Sequence, residues 1–278
     1  VNKAQGAPYR EALVEPELPA FEGVMPLVLQ SYLRARDVAG RVLVVDSGVG
    51  GLSVLSELQR FLPRECFVYL MDQAAFPYGG WKAKDLQRYL VDLICKVATR
   101  WQVRAVVVAC NTASTLVLPA LRARLAVPIV GTVPAIKPAA AASQSGVIAV
   151  LATPGTVQRD YTRDLIAQHA QGVHVELVGS ANLAAIAENK LYGRGVDAAL
   201  LCEEIRPCFV ERLQGRCDQI VLGCTHYPFL IEEMQQNSPW KVRYHQPAKA
   251  IARRLHTVLQ SAAPDVALRD IFLTTAVS

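Results

Sequence analysis

The chain has 278 residues, is 52% hydrophobic, and carries 29 basic against 24 acidic residues for a formal charge of +5. That length and apolar share suit one large or two ordinary α/β domains, and the charges are interspersed, without the basic run that marks a nucleic-acid partner. No apolar run approaches the roughly 20 residues of a membrane helix, and the start of the sequence lacks a basic region followed by an apolar one; a soluble, cytoplasmic protein with no membrane partner is expected.

Residues 1–40 differ from the rest of the chain. Pro8, Pro16, Pro19 and Pro26 interrupt any long element, Glu11, Glu15, Glu17 and Glu22 make the stretch acidic, and only a short helix near Leu27 to Arg36 is expected. We treat 1–40 as an N-terminal extension. From Val42 the pattern becomes strand, turn, helix: Val42 to Val45 is apolar, Asp46 to Gly51 supplies turn residues, and Leu52, Leu55, Leu58 and Leu62 give the next helix a buried stripe. The glycines of that turn let backbone amides approach an anion at the helix start. Their spacing fits neither G-x-G-x-x-G nor a P-loop, which excludes dinucleotide and triphosphate readings. A strand from Cys66 to Met71 ends at Asp72, Phe76 to Gly79 forms a loop, and a helix runs from about Lys84 to Trp101.

The most informative stretch comes next. Ala105 to Val108 is a short β-branched run that stops on Cys110-Asn111-Thr112, the pattern of a buried strand delivering a thiol to a strand-to-helix turn. Open α/β sheets bind ligands at that place. A helix from Ser114 to Leu125 and a strand near Val127 to Val133 come after it, and Pro134 marks the crossover to a second unit. There Gly146 to Leu151 and Val173 to Val178 read as strands, and Thr156 to Gln168, Asn182 to Lys190 and Val196 to Leu213 as helices. Gln219 to Gly223 then repeats the earlier device, ending on Cys224-Thr225-His226-Tyr227-Pro228, with a helix beyond. Ala248 to Gln260 reads as a helix and Ile271 to Thr274 as a strand.

Seven cysteines (Cys66, Cys95, Cys110, Cys202, Cys208, Cys217 and Cys224) form an odd set with no C-x-x-C pair, so free thiols are expected rather than a disulfide framework or a zinc site. Most read as small buried hydrophobes. Cys110 and Cys224 stand apart because their strand-end contexts match.

The segments Val42 to Leu52, Ala75 to Gly79, Ala109 to Thr115 and Gly223 to Pro228 resemble the glutamate racemases, within the wider group of cofactor-independent amino-acid racemases. The resemblance runs from about Val42 to the C-terminus. It implies an α/β fold of two similar domains, each a mostly parallel sheet flanked by helices, related by a pseudo-twofold axis with the active site in the interdomain cleft. The first domain would span 41–134 and be completed by 247–278, and the second would span 135–246. By the same resemblance Cys110 and Cys224 are the catalytic pair, serving the D- and L-enantiomer respectively. Asp46 assists on the Cys110 side, His226 on the Cys224 side, and Glu188 works with the histidine. Ser47, Tyr78, Gly79, Asn111, Thr112 and Thr225, together with Asp46 and His226, would bind glutamate. No cofactor is implied, neither pyridoxal phosphate nor metal. Some bacterial members carry an N-terminal extension associated with activation by a cell-wall precursor, and the family role is D-glutamate supply for peptidoglycan; the oligomeric state stays open.

The chemistry fits the residues. Racemisation removes a proton from one face of Cα and returns one to the other, so two bases on opposite sides are the direct solution. Cysteine, with a reference pKa near 8.5, can serve as thiol or thiolate near neutrality. Blander readings stay beside these: Asp46 as a helix cap, His226 as a structural histidine, Glu188 on a solvated helix face, Thr112 and Ser114 as helix caps, Tyr78 and Gly79 as turn residues. An aspartate or hydantoin racemase, or a silent binding protein of the same fold, shares much of the pattern. Gln246-Pro247 departs from the Asp-Ser pair common before the last helix in related enzymes.

Overall fold

The computed structural model describes residues 40–259 and 270–275. The helix expected near Leu27 to Arg36 lies outside the described residues. Strands β1 (Val42–Asp46), β2 (Phe67–Met71), β3 (Ala105–Val108) and β4 (Ile129–Gly131) alternate with helices α1 (Leu52–Phe61), α2 (Ala83–Arg100) and α3 (Asn111–Arg124). The series continues through α4 (Ile136–Ala142), β5 (Val147–Ala152), α5 (Asp160–His169), β6 (His174–Gly179), α6 (Leu183–Leu191) and α7 (Ala198–Ile205). A small hairpin of β7 (Glu211–Arg212) and β8 (Gly215–Arg216) precedes β9 (Gln219–Gly223), α8 (Ile231–Gln236), β10 (Arg243–His245), α9 (Ala248–Val258) and β11 (Ile271–Thr274).

These strands form two larger sheets, one of five strands in the order β11-β2-β1-β3-β4 and one of four in the order β10-β9-β5-β6. Every pairing within both is parallel. A parallel sheet needs both faces covered, and the alternation of side chains shows how that is met. Leu43, Val45, Val68, Leu70, Val106 and Val108 pack with α2 and α3. Their neighbours Val42, Val44, Phe67, Tyr69, Ala105 and Val107 pack with α1 and α9. The second sheet divides likewise, Val147, Ala149 and Leu151 lying with α6 and α7, and Ile148 and Val150 with α4. Continuous apolar runs are therefore continuous because each face has its own helices.

Several elements differ from the sequence expectation. The helix expected over Val196 to Leu213 ends at Ile205; Pro207 sits in the 3-10 turn beyond it, and the chain then turns into the β7–β8 hairpin. The helix expected over Thr156 to Gln168 is two pieces, a turn at Pro154–Val157 and α5, because Arg159 is extended and the Thr162 hydroxyl satisfies the Thr156 carbonyl at 2.7 Å. Helix α3 begins at Asn111, directly after Cys110, three residues ahead of Ser114. Pro247 stands at the start of α9, where a missing N–H is harmless, and its carbonyl accepts from Ala250 and Ile251. Helix α4 and strand β10 are additions to the elements expected from periodicity.

The C-terminal strand returns to the first sheet, where its entry is fixed by Asp270. One carboxylate oxygen accepts from the Phe67 amide at 2.8 Å and the other from the Gln59 side chain at 2.6 Å. Replacing Asp270 with alanine removes both partners; we predict a loss of about 1–3 kcal/mol, read as a lower urea midpoint at unchanged m-value.

Candidate active site

The carboxyl ends of β3 and β9 deliver Cys110 and Cys224 to one cleft. Its walls come from both sheets: Ser47, Phe76 to Gly79 and Cys110 to Thr112 from the first, Thr153, Ala184 and Gly223 to His226 from the second. The two thiols are 7% and 9% exposed, so the cleft is nearly closed over them. Local bonding explains why the strand ends stop there. The Ser114 hydroxyl donates to Val108 O at 3.0 Å and accepts from the Thr132 amide at 3.0 Å, tying the first turn of α3 to the ends of β3 and β4. Ser114 thus works as a splice rather than a cap.

Around Cys224 a linear polar chain forms. His226 Nδ1 is 3.7 Å from Cys224 Sγ, and His226 Nε2 is 2.9 Å from Glu188 Oε1. Glu188 is no solvated helix residue, being 6% exposed. Its Oε1 also accepts from the Val49 amide at 3.2 Å, so the glycine turn does meet an anion at the start of α1, and that anion is Glu188. The glycines serve this packing directly. A Cβ on Gly50 would lie 2.3 Å from His226 Nδ1, and one on Gly48 would lie 2.5 Å from Glu188 Oε1. Both separations are far inside van der Waals contact, so a side chain at either position would displace His226 or Glu188 from this arrangement.

Asp46 ends β1, wholly buried. It caps no helix. Its two oxygens accept from the Thr225 hydroxyl at 3.2 and 2.9 Å, and the Ser53 hydroxyl, in α1, donates to Thr225 O at 2.9 Å. The carboxylate that the sequence assigns to the Cys110 side is therefore held by the residue next to Cys224.

The charges reflect these positions. Burial is the main influence on Asp46 and raises its pKa to about 6, against the pull of His226 and the Thr225 hydroxyl. Burial also pushes the Cys110 thiol well above its usual range; the Asp46 carboxylate adds to this, and the amides of Ala113 and Thr112 oppose it. His226 goes the other way. Burial disfavours its charge, but hydrogen bonds to Cys224 and Glu188 and the field of Asp46 outweigh it and raise the pKa to about 10. The cleft thus sets a protonated thiol at one end and an imidazolium at the other.

Ser47, Tyr78, Gly79, Asn111, Thr112 and Thr225, the remaining residues expected at the site, all line the cleft. Both side-chain polar atoms of Asn111 are buried without a hydrogen-bond partner among the described residues, so they are free to bond a ligand or water in the cleft that Asn111 lines. Tyr78 donates its hydroxyl to Asp72 at 2.8 Å, so it presents ring rather than proton. The Thr112 hydroxyl lies 3.2 Å from that of Thr153 and 3.1 Å from that of Thr156, a cluster joining the two sheets. Sequence reasoning misses Thr153, although it stands at the carboxyl end of β5, where the strand-end rule would have found it. Among the described residues no group of three His, Cys, Asp or Glu is arranged to hold a metal ion, and no helix is long and apolar enough to cross a membrane.

Both the sequence and the fold are matched in known proteins. The Asp/Glu/Hydantoin racemase model matches residues 68–255. The chain belongs to this family. It is 49% identical over 241 residues to the glutamate racemase of Brucella anthropi, an alignment covering 86% of this chain and 87% of that one. It is 50% identical over 225 residues to that of Brucella canis, covering 81% of each. Among solved structures, Escherichia coli glutamate racemase, in complex with L-glutamate and the activator UDP-MurNAc-Ala, superposes with a TM-score of 0.80 at 42% identity, covering 86% of this chain and 90% of that one. The RacE1 isoform from Bacillus anthracis gives 0.72 at 30% identity, covering 86% and 90%. The two parallel sheets flanked by helices in this chain are those of the family.

Asp46 gives this site a pH signature in stability. With its folded pKa raised from 3.8 to about 6, the folded chain binds more protons than the unfolded one between those values, so stability falls as pH rises through that window. The Asp46→Asn variant lacks this titration and keeps an oxygen for the Thr225 hydroxyl. We predict that it gains on the parent by about 2 kcal/mol between pH 4 and pH 7, measured by denaturant titration at each pH.

Proposed function

We propose that the chain interconverts L- and D-glutamate by a two-base mechanism in which Cys110 and Cys224 act on opposite faces of Cα. The observation that carries this is the pair of strand-end thiols lining one cleft from different sheets, in a chain about half identical to glutamate racemases. The unpartnered Asn111 amide, with the Thr112 hydroxyl beside it, suits a substrate carboxylate.

In this reading Cys110 begins as the acid, because burial and Asp46 keep its proton on sulfur. Cys224 removes the Cα proton of one enantiomer, Cys110 protonates the other face, and the reverse reaction exchanges these parts. His226, held as an imidazolium by Glu188, compensates the charge of an anionic Cys224 and exchanges protons with it. Charge that develops on the substrate α-carboxylate as Cα loses its proton is met by preorganised donors of the cleft. Residues 41–134 with 247–278 act as one domain and 135–246 as the other, the thiols approaching from each. The reading extends to D-glutamate supply for peptidoglycan in the cytoplasm, and to a cell-wall precursor of the UDP-MurNAc-Ala class acting through the 1–40 extension.

Incubation in heavy water tests substrate and residues together. Deuterium should enter Cα of glutamate and not of aspartate, and Cys110→Ser and Cys224→Ser should each lower racemisation by at least about a hundredfold while circular dichroism stays that of the parent. Labelling of aspartate instead identifies a sibling enzyme, and no labelling of either identifies a binding protein. A folded serine variant at parental rate would remove that thiol from the mechanism.

A further inference from the structure

A third buried carboxylate lies behind the Cys110 wall. Asp72 stands just beyond β2, is 0% exposed, and does not line the cleft. Three hydroxyls converge on it, two from the segment that follows it and one from the far end of the chain. Tyr78 donates to Oδ2 at 2.8 Å, Tyr89 of α2 to Oδ1 at 2.8 Å, and Thr275, just beyond β11, to Oδ1 at 2.6 Å. Thr275 is itself doubly held, its hydroxyl accepting from the Ala74 amide at 3.1 Å and its amide donating to Met71 O at 3.1 Å. The loop is pinned further on by Trp81, which donates to Ala75 O at 3.0 Å and stacks on Tyr89 with ring centroids 5.3 Å apart.

Such an arrangement has a cost and a use. Burying a carboxylate without a cation is unfavourable, and burial raises the Asp72 pKa even against three hydroxyl donors. What it holds is Phe76 to Gly79, four consecutive residues of the cleft wall. Tyr78 is the link, since its ring belongs to the same apolar cluster as Cys110 while its hydroxyl is committed to Asp72.

We propose that Asp72, by gathering the hydroxyls of Tyr78, Tyr89 and Thr275, is a positioning residue that sets the Tyr78–Gly79 wall against Cys110, making the end of the C-terminal strand part of the site's support. The inference rests on the two-thiol racemase reading. It assigns Asp72 and Thr275 roles although neither touches the cleft.

The test is a double-mutant cycle on glutamate racemisation with Asp72→Asn and Tyr78→Phe, read beside site-resolved iodoacetamide labelling of Cys110 and Cys224. Each single variant should lower kcat/KM by about tenfold to a hundredfold, and the double variant should lose no more than the worse single one, because both remove one link. The labelling rate should change at Cys110 and not at Cys224. Thr275→Val should shift both readouts in the same direction, and Thr275→Ser should restore them. Losses that multiply, an unchanged kcat/KM, or equal changes at both thiols would overturn the proposal. If Asp72→Asn does not fold, the Thr275 pair decides, and parental values for Thr275→Val overturn it. A parent chain that fails to racemise glutamate, yet whose Cys110 labelling responds to the variants, sinks the racemase reading and leaves the positioning role standing.

Discussion

The site depends on two carboxylates that are buried where the two sheets meet. Asp46 comes from the first sheet and is held by Thr225 of the second; Glu188 comes from the second and is held by Val49 of the first. Each is a charge that would be expensive to bury alone, so each needs the other lobe to supply its partner. The same bonds that close the cleft therefore fix its electrostatics. Hydrogen bonds to Cys224 and Glu188 sustain the His226 imidazolium, while burial, aided by Asp46, keeps the proton on Cys110, so the two ends of the cleft differ in charge.

This arrangement constrains the backbone as strongly as the side chains. His226 and Glu188 can reach their places only because Gly48 and Gly50 leave space that a single Cβ would fill. The turn after β1 looks at first like a phosphate cradle, and its amide does bind an anion, but the anion belongs to the protein. On the other side, Ser114 joins β3, α3 and β4 so that Cys110 is presented at the first turn of a helix. The Ala113 and Thr112 amides there favour a thiolate, without overcoming burial. A thiol held in this way keeps its proton at rest yet has donors in place for a thiolate.

Much of this was legible in the sequence because it is local. The runs Val42 to Val45, Ala105 to Val108 and Gln219 to Gly223 are too short and β-branched to be helices, and the cysteines just beyond the latter two mark strand ends by position alone. Helix limits were less legible where a tertiary bond competes with helix continuation. The Thr162 hydroxyl breaks the segment from Thr156, and Pro207, a visible signal, ends α7 well before Leu213. Partnerships across the chain were not legible. Nothing near Asp46 announces Thr225, 179 residues away, and nothing near Asp72 announces Thr275, 203 residues away. Such pairs are set by how the sheets are ordered and packed, which periodicity does not encode.

In the two-thiol mechanism one sulfur takes a proton from one face of Cα while the other gives a different proton to the opposite face. Isotopic analysis of both enantiomers early in turnover addresses it directly. With pure L-glutamate in heavy water, deuterium should appear at Cα in nearly all the D-glutamate formed and in almost none of the remaining L-glutamate, because the proton returned to the original face is the one just removed. Deuterium rising equally in both enantiomers from the start would contradict it, since that is the mark of a single base serving both faces.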